Sequence, residues 1–471
     1  MAYKEAECPK LNINEIEEVR AYYDEAEPDI LYVECTPKYR YTGCCPECGC
    51  FNFVANGHGS PRRIHDTSIG TKSIDIMLET QRYKCKDCGA VFRRPIEFAD
   101  SNRWMTRRLI EVIQKRALSE PFKNVADEYG ITIPTVAGIF AEYGKELDLK
   151  RKMVAPKVLG IDENHLNHVM CGILTDIENG TLVEITPDNR QDTIQKAIES
   201  MIDYDTNIKI VTMDMYRGYK SVVEMCLPNA KIIIDKFHVV RYIYKATETA
   251  RKQIFEQLKA DVKALPDGPD KDEKQRLLTR LGKNTYLFKF SSKRVALDPS
   301  RASLMASLCK TFPELNELRL VKMRAEKIYE SADQIEAVQN INDFIKSIPN
   351  DPAFKDFKSF SKTLNNWMPE ILNYFKYGKQ YTNATTEGLN AMIKQLSGMG
   401  RGYSFENLRT KALYWPLAHN KPQLKARKKP VPFNSNTRQL MDMRSFFPKD
   451  EYLSGDSSDI NILLNHLEEI F

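Results

Sequence analysis

Two aspartates follow apolar stretches of the chain in equivalent positions. Asp162 ends the sequence VLGID, and Asp214 ends IVTMD. Each stretch is predicted to be a buried strand, where an ionised carboxylate is costly unless it is solvated or paired with a cation. Carboxylates are the ligands that Mg²⁺ and Mn²⁺ prefer, so the pair indicates a metal site. For either residue alone, an aspartate that caps a strand is an equally good interpretation.

A site for two divalent cations needs more than two carboxylates, so a third acid is expected downstream. Glu387 opens the stretch TTEGLNAMIKQLSGMG, whose apolar spacing predicts a helix. The simple alternative is that a glutamate in a first turn favours the positive end of the helix dipole. Gly388 costs that turn roughly 1 kcal/mol relative to alanine, which indicates that the backbone approaches the sheet, a metal or DNA. Other nearby acids remain rivals: Glu163, Asp176, Asp203, Asp205 and Asp235.

Two Cys-x-x-Cys-Gly sequences predict a second, structural metal site. CPECG supplies Cys45 and Cys48, and CKDCG supplies Cys85 and Cys88, which is the ligand set of a closed zinc ribbon. The 36 residues between the two pairs exceed the usual spacing, and an inserted hairpin would account for them. The remaining candidate ligands nearby are Cys44, Cys50, His58 and His65.

Residues 106–147 are predicted to form three helices, of which the last two are joined through Gly130 as in a helix-turn-helix. The recognition helix would begin near Ile133, so that Thr132 and Thr135 could meet DNA bases. The basic side chains that could contact phosphates are Arg103, Arg107, Arg108, Lys115 and Arg116. An ordinary helical hairpin is the alternative.

The sequence patterns around these acids predict an interrupted α/β domain, whose strands and helices would position them. From residue 157 to 240 the patterns predict three strands, a helix, a strand, a helix and a strand, which is the order of the ribonuclease-H-like fold with its mixed sheet. From Ile243 to about Tyr374 the chain becomes helical and highly charged, as expected for a helical insertion. The helix that carries Glu387 then follows and would dock back on the sheet.

Bulk properties agree with a soluble protein of several domains. The chain has 471 residues, 42% hydrophobic and 28% charged, with a net charge of +5. No stretch reaches the roughly 18 apolar residues of a membrane span, and the first residues lack a signal-peptide core, so we expect a cytoplasmic protein without membrane contact. The charge is uneven: ten acids face three bases in residues 1–34, and eight bases face four acids from Arg62 to Arg94. A basic stripe suggests a polyanionic partner, although a solvated surface is the commoner reason.

Together these motifs resemble the DDE transposases of bacterial insertion sequences, specifically the ISL3 group, over roughly residues 35–420. The resemblance rests on CPECG…CKDCG, VLGIDE, VTMDMYRGY, DKFHV and TTEGLNAMIK…GRGYSFENLR. It implies a zinc ribbon (35–98), a helix-turn-helix (99–152) and a ribonuclease-H-like catalytic domain in two parts (153–244 and 376–420) around a helical insertion (245–375). The flanking stretches, an acidic N-terminal extension (1–34) and a basic segment with a C-terminal tail (421–471), lie outside the resemblance.

The resemblance also implies roles for particular residues. The catalytic triad would be Asp162, Asp214 and Glu387, separated by 52 and 173 positions and binding Mg²⁺ or Mn²⁺. Residues that could support them are Asp235, His238 and Asn390, and further phosphate contacts would be Arg401, Arg409 and Lys428.

A protein of this kind would bind the terminal inverted repeats of an insertion sequence, cleave the element's ends and join them to target DNA. Its partners would be double-stranded DNA and further copies of itself, in a homodimer or larger assembly associated with the nucleoid. Two alternatives share the fold: a regulator that binds DNA without cutting it, and a structure-specific nuclease.

Overall fold

The computed structural model describes residues 3–202, 208–381, 384–400 and 402–419. The described residues form two compact units, the first drawn from residues 3–152 and 393–419, and the second from residues 153–392. Arg401, Lys428, the rival acids Asp203 and Asp205, and the predicted basic C-terminal segment lie outside the described residues. Among the helices of the described part, none is both long and apolar enough to span a bilayer.

The strands are β1 (Tyr3–Ala6), β2 (Ile16–Asp24), β3 (Glu27–Pro37), β4 (Phe53–His58), β5 (Arg62–Ile69), β6 (Lys72–Leu78), β7 (Gln81–Cys85), β8 (Val91–Arg93), β9 (Ala99–Asp100), β10 (Met105–Thr106), β11 (Val158–Leu166), β12 (Val169–Asp176), β13 (Thr181–Ile185), β14 (Ile210–Met213) and β15 (Lys231–Ile234). The helices are α1 (Arg107–Ser119), α2 (Phe122–Tyr129), α3 (Ile133–Lys150), α4 (Gln191–Glu199), α5 (Arg217–Cys226), α6 (Lys236–Ala264), α7 (Pro269–Lys283), α8 (Tyr286–Lys289), α9 (Ser292–Leu297), α10 (Pro299–Thr311), α11 (Pro313–Lys327), α12 (Gln334–Lys346), α13 (Lys355–Asn366), α14 (Met368–Tyr377), α15 (Ala384–Gly400) and α16 (Phe405–His419).

The acidic N-terminal residues form part of a sheet in the first unit, whose strand order is β1-β2-β3-β6-β5-β10-β9. The boundary predicted between residues 34 and 35 therefore falls inside β3, which pairs in parallel with β6. Periodicity explains why these strands are stable despite their charge. Leu31, Val33 and Cys35 alternate into the core, while the acid Glu34 lies on the other face, where it pairs with Arg20.

The zinc-ribbon region is a smaller sheet of order β4-β7-β8. The expected hairpin insertion is present as the antiparallel pair β5 and β6, which joins the larger sheet. The stretch KSIDIMLETQRYKC alternates throughout like a single strand, but it breaks at Glu79–Thr80 and divides between the two sheets. Aromatic rings of Tyr41, Phe53, Tyr83 and Phe92 pack on one another with centroid distances of 5.3–6.1 Å, which gives this small sheet its core.

The three helices predicted after the ribbon are present as α1, α2 and α3. Gly130 follows α2 with φ of 62°, a left-handed conformation that few other residues adopt readily, and α3 begins three residues later. Helix α16 packs against α1 and α3. The predicted second part of the catalytic domain, residues 376–420, is therefore divided, because residues from Ile393 onward belong to the first compact unit.

The second unit is built on a mixed sheet of order β13-β12-β11-β14-β15. Strands β11, β12 and β13 are antiparallel neighbours, whereas β11, β14 and β15 run parallel. This is the order expected of the ribonuclease-H-like fold, so the predicted fold class is confirmed. The strand predicted through DKFHVV ends at Ile234, and the same residues open the long helix α6.

Helices α6 to α14 form the predicted insertion. They bury a continuous apolar core, represented by Leu258, Leu318, Phe344 and Phe357, that merges with the core beneath the sheet.

Candidate active site and metal centres

Three aspartates lie side by side at one edge of the mixed sheet. In the parallel register Ile161 is opposite Met213, and Met213 is opposite Ile234. Asp162, Asp214 and Asp235 directly follow these three residues in the sequence. All three aspartates therefore lie at the same edge of the sheet, where the parallel pairing ends. Strand β11 does not end at Asp162 as predicted, because it continues to Leu166 along its antiparallel partner β12. Asp162 instead marks the point where the parallel pairing with β14 ends.

His238, in the first turn of α6, lies among the three aspartates. Its Nδ1 is 3.3 Å from Asp214 Oδ2, and its Nε2 is 3.8 Å from Asp162 Oδ1 and 3.9 Å from Asp235 Oδ2. Burial alone would lower its pKa, but the contact with Asp214 and the charges of Asp235 and Asp162 raise that pKa to about 9. The imidazole is therefore a cation at neutral pH that offsets the carboxylates around it.

Two asparagines tie the start of α15 to strand β11. Asn390 donates from Nδ2 to Asp162 Oδ2 at 2.8 Å. Asn164 donates from its own Nδ2 to the backbone oxygen of Asn390 at 3.1 Å and to Asn390 Oδ1 at 3.2 Å. Asn164 lies two residues after Asp162 and therefore on the same face of the strand. These bonds fix the orientation of one Asp162 oxygen relative to the helix that carries Glu387.

Glu387 is half-buried near these aspartates because the first turn of α15 docks on the sheet. Thr386 is fully buried, and its hydroxyl is 2.8 Å from that of Thr175 on β12. Gly160 makes room for this contact, since a Cβ there would lie 2.4 Å from Thr175 Oγ1 and 3.0 Å from Thr386 Oγ1. Burial, followed by the charges of Asp235 and Asp162, raises the pKa of Glu387 to about 7.

The acids that were alternatives to Glu387 have different surroundings in the structure. Glu163 Oε1 accepts hydrogen bonds from the hydroxyl of Tyr219 at 2.8 Å and from Asn189 at 3.0 Å, so it is occupied away from the site. Asp176 accepts two hydrogen bonds from Asn179 in a turn. Asp235 is 1% exposed and remains the rival closest to the aspartate pair. Sequence reasoning missed Gly160, Asn164 and Thr386, although each lies within two residues of a predicted acid.

The acids suit a hard divalent cation. Carboxylate oxygens from Asp162, Asp214 and Glu387 are the donor type that Mg²⁺ and Mn²⁺ prefer. Burial and the neighbouring charges of Asp214 and Glu163 also raise the pKa of Asp162, although His238 partly offsets them. Carboxylates that are crowded and partly buried are costly to ionise, which raises their pKa values. A bound cation offsets that cost.

The four predicted zinc ligands meet at one point. Their sulfur atoms all lie within 4.8 Å of one another, and among the described residues they are the cluster with metal-site spacing. Cys45 Sγ is 3.7 Å from Cys88 Sγ, and Cys48 Sγ is 3.6 Å from Cys85 Sγ. Zn–S bonds of about 2.3 Å place the sulfurs of a tetrahedral site roughly 3.8 Å apart, so the thiolates fit structural zinc. The spare candidates are used elsewhere: His58 contacts Glu79, and His65 contacts Asp75.

Most of the arginines predicted to contact phosphates have partners within the protein. Arg103 pairs with Glu142, Arg108 with Asp66, and Arg116 with Glu120 and Glu128. Arg409 donates to Asp148 at 2.7 Å, and Arg107 Nε donates to the backbone oxygen of Glu97. Thr132 caps the first turn of α3 by accepting from Thr135 N, and its side chain is exposed.

Comparisons with known proteins agree with this architecture. A family model described as "Transposase", the DDE domain of the ISL3 group, matches residues 159–412, which is more than half of the chain. A second, described as "zinc-finger of transposase IS204/IS1001/IS1096/IS1165", matches residues 42–88. No curated protein matches the chain. A solved structure titled "Drosophila P element transposase strand transfer complex" is similar at a TM-score of 0.33 and 10% identity, covering 72% of this chain and 95% of that one. The chain belongs to the ISL3 group of DDE transposases.

Proposed function

We propose that this transposase binds the terminal inverted repeats of an insertion sequence, cleaves the ends of the element and joins them to target DNA with the help of divalent cations. The observation that carries the proposal is the shared sheet edge of Asp162 and Asp214, to which the helix of Glu387 is hydrogen-bonded. Two aspartates from neighbouring parallel strands and a glutamate from a docked helix would supply a set of oxygen ligands from three elements. Such a set matches chemistry at phosphodiesters.

In this proposal Asp162, Asp214 and Glu387 hold Mg²⁺ or Mn²⁺. The bound cations supply activation of the attacking hydroxyl and stabilisation of charge on the phosphate and leaving oxygens. Asn390 holds one oxygen of Asp162 in place, while His238 and Asp235 set the charge around the aspartates. Because water and then a DNA 3′-hydroxyl are the nucleophiles, no serine or tyrosine of the chain needs to attack.

The first compact unit would recognise the DNA. The zinc ribbon offers a rigid small sheet, and the start of α3 exposes Thr132 beside Thr135 where a recognition helix meets base edges. Ends must be brought together before joining, so we further propose that two or more copies of the chain assemble on DNA.

Cleavage of a labelled element end in Mg²⁺ or Mn²⁺ tests the proposal. Wild type should nick the end and join it to a target, whereas Asp162→Asn and Glu387→Gln should reduce both products by roughly 10²- to 10³-fold, because each removes a charge that helps to stabilise the transition state through the cations. Asp176→Asn, which removes an acid of the same unit in a turn, should retain activity.

Each other outcome identifies an alternative. Binding of ends without any cleavage by wild type would favour the regulator, and cleavage that ignores the end sequence would favour the nuclease. Full activity of Glu387→Gln would remove Glu387 from the triad and direct attention to Asp235.

A further inference from the structure

A basic cleft lies in the first unit. It has a volume of about 550 Å³ and carries four arginines among its lining residues, which are Arg62, Arg82, Val91, Phe92, Arg93, Arg94, Pro95, Ile96 and Ser101. No acidic side chain is among these lining residues. We call it the arginine cleft, after Arg62, Arg82, Arg93 and Arg94.

Two of these arginines face each other across neighbouring strands. In the antiparallel pair of β7 and β8, Arg82 is directly opposite Arg93. Like charges in that position destabilise a sheet. The rest of this face is basic or open to solvent: Lys84 is exposed, and so is Val91 opposite it. The aromatic core of the ribbon lies on the other face of this sheet. Packing of that core therefore does not explain why two arginines are placed opposite each other.

A third arginine reaches the cleft from the larger sheet. Arg62, on β5, lies over the indole of Trp104 with 4.3 Å between its guanidinium carbon and the ring centroid. Burial and the charge of Arg93 both lower the pKa of Arg62, and no carboxylate offsets them. Trp104 thus holds the guanidinium group of Arg62 close to the other positive charge of Arg93. This arrangement favours an anion as the ligand of the cleft.

Other arginines of the same unit form ion pairs with carboxylates. Arg20, Arg63 and Arg108 pair with Glu34, Asp75 and Asp66, respectively. Among the described residues, Arg62, Arg82 and Arg93 have no carboxylate within ion-pair distance, and Arg94 donates to the backbone oxygen of Tyr39. The contrast separates arginines that stabilise the fold from arginines that are left for a ligand.

We propose that the arginine cleft binds the phosphate backbone of double-stranded DNA. The inference rests on the proposed function, because it takes the DNA of the element as the ligand. Planar guanidinium groups match phosphate oxygens in pairs. The extension of the basic face to Lys84, beyond the cleft itself, favours a polymer of phosphates over a single small anion. Such contacts position the duplex and carry no sequence information.

Titration of the full chain with labelled duplexes tests the cleft. One duplex carries the element end and the other a random sequence of equal length, and affinities are measured by fluorescence anisotropy across a range of salt concentrations. Arg82→Ala/Arg93→Ala should weaken binding to both duplexes by tenfold or more. Because each lost phosphate contact removes about 0.9 from the slope of log K against log salt, the slope should fall by about 2.

The matched control is Arg20→Ala/Lys72→Ala, which also removes two positive charges from this unit, each paired with an acid. It should leave affinity and slope unchanged. Zinc content and unfolding temperature report folding of the variants. Since Arg82 is exposed, Arg82→Ala alone offers a milder test, with a slope change of about 1.

The outcomes distinguish the two proposals. If wild type binds and cleaves the end while the cleft variants keep its affinity and salt slope, the arginine cleft is not a DNA site and the proposed function stands. If wild type binds neither duplex, both proposals fall.

Discussion

Asn390 Nδ2 donates to Asp162 Oδ2 at 2.8 Å, across 228 positions of the sequence. This bond connects the helix of the proposed third acid to the strand of the first. Asn164 completes the connection by donating to the backbone and side-chain oxygens of Asn390. The geometry of the site thus depends on amides as well as on acids.

Asn390→Ala should lower end cleavage by roughly 10- to 100-fold, because residues that orient a metal ligand have effects of this size. Affinity for the element end should stay within twofold of wild type, since the elements proposed to recognise DNA belong to the first unit and Asn390 to the second. Parallel cleavage and anisotropy measurements check both expectations. Gln395→Ala, at an exposed position on the same helix, is the control. Equal cleavage by both variants would mean that Asn390 does not position Asp162.

Local patterns were sufficient to predict that Asp162 and Asp214 follow neighbouring strands and that the four cysteines share one site. Asp162 and Asp214 stand out as a pair because each follows an apolar strand, where an ionised carboxylate is costly without solvent or a cation, and the repeated Cys-x-x-Cys-Gly marks its own turns. The mixed sheet could also be predicted, since its strands are short apolar runs in a recognisable order. Each of these signals lies within about ten residues of the feature that it predicts.

Long-range partners could not be predicted in this way. Nothing in the sequence near Arg108 indicates that Asp66 will pair with it, whereas Glu120 lies only four residues after Arg116. The acidic start of the chain was interpreted as an extension, because its charges obscure the alternating Leu31, Val33 and Cys35. Gly160 acquires its meaning only when Thr386, more than two hundred residues later, docks against it.

His238→Ala should lower the free energy of unfolding of the metal-free protein by about 3 kcal/mol at pH 7, because it leaves neighbouring carboxylates without their cation. The imidazole contacts Asp162, Asp214 and Asp235 at 3.3–3.9 Å. Urea denaturation followed by circular dichroism measures the loss. His165→Ala, which removes an exposed imidazole from the same unit, should have little effect. Indistinguishable midpoints for the two variants would contradict the charge-compensating role.

Cys88→Ser should abolish binding of one zinc ion per chain and unfold the ribbon, since structural zinc supplies on the order of 10 kcal/mol to such small domains. Metal analysis gives the stoichiometry. Near-ultraviolet circular dichroism reports the packed rings of Tyr41 and Tyr83. Cys44→Ser changes a neighbouring cysteine outside the cluster and should retain both zinc and signal. Loss of zinc in both variants would assign Cys44 to the site.

Lys411 makes the stability of the first unit depend on pH. It is 2% exposed, and its Nζ donates to backbone oxygens at the C-terminal end of α1, including that of Glu120 at 2.8 Å. Burial lowers its pKa to about 7, whereas an unfolded lysine titrates near 10.5. Below pH 7 the amine is charged in both states. Between pH 7 and 10 the unfolded chain binds more protons, so raising the pH stabilises the folded state.

Hydrogen exchange of amides in α1, corrected for intrinsic rates, tests this pH dependence against Lys411→Met. Wild type should gain roughly 2–3 kcal/mol of opening free energy relative to the variant between pH 7 and pH 9, since one unit of pKa shift corresponds to about 1.4 kcal/mol. A constant difference across that range would show that Lys411 stays charged in the folded chain.

Gly388 is not required by packing within the chain. It is exposed in the first turn of α15, and a Cβ there would meet no described atom within 4 Å, so the sheet is excluded as the close neighbour inferred from sequence. Gly388→Ala should therefore stabilise the helix by about 0.5–1 kcal/mol. We expect end cleavage to fall roughly tenfold nonetheless, because the remaining reasons for a glycine beside Glu387 are close approach of a metal or of the DNA backbone, and of these the exposed turn favours DNA. Thermal unfolding measures the first effect and the cleavage assay the second.

Ser397→Ala provides a substitution to alanine farther along the same helix, and it should leave cleavage unchanged. A stabilised and fully active Gly388→Ala protein would show that DNA does not approach this turn.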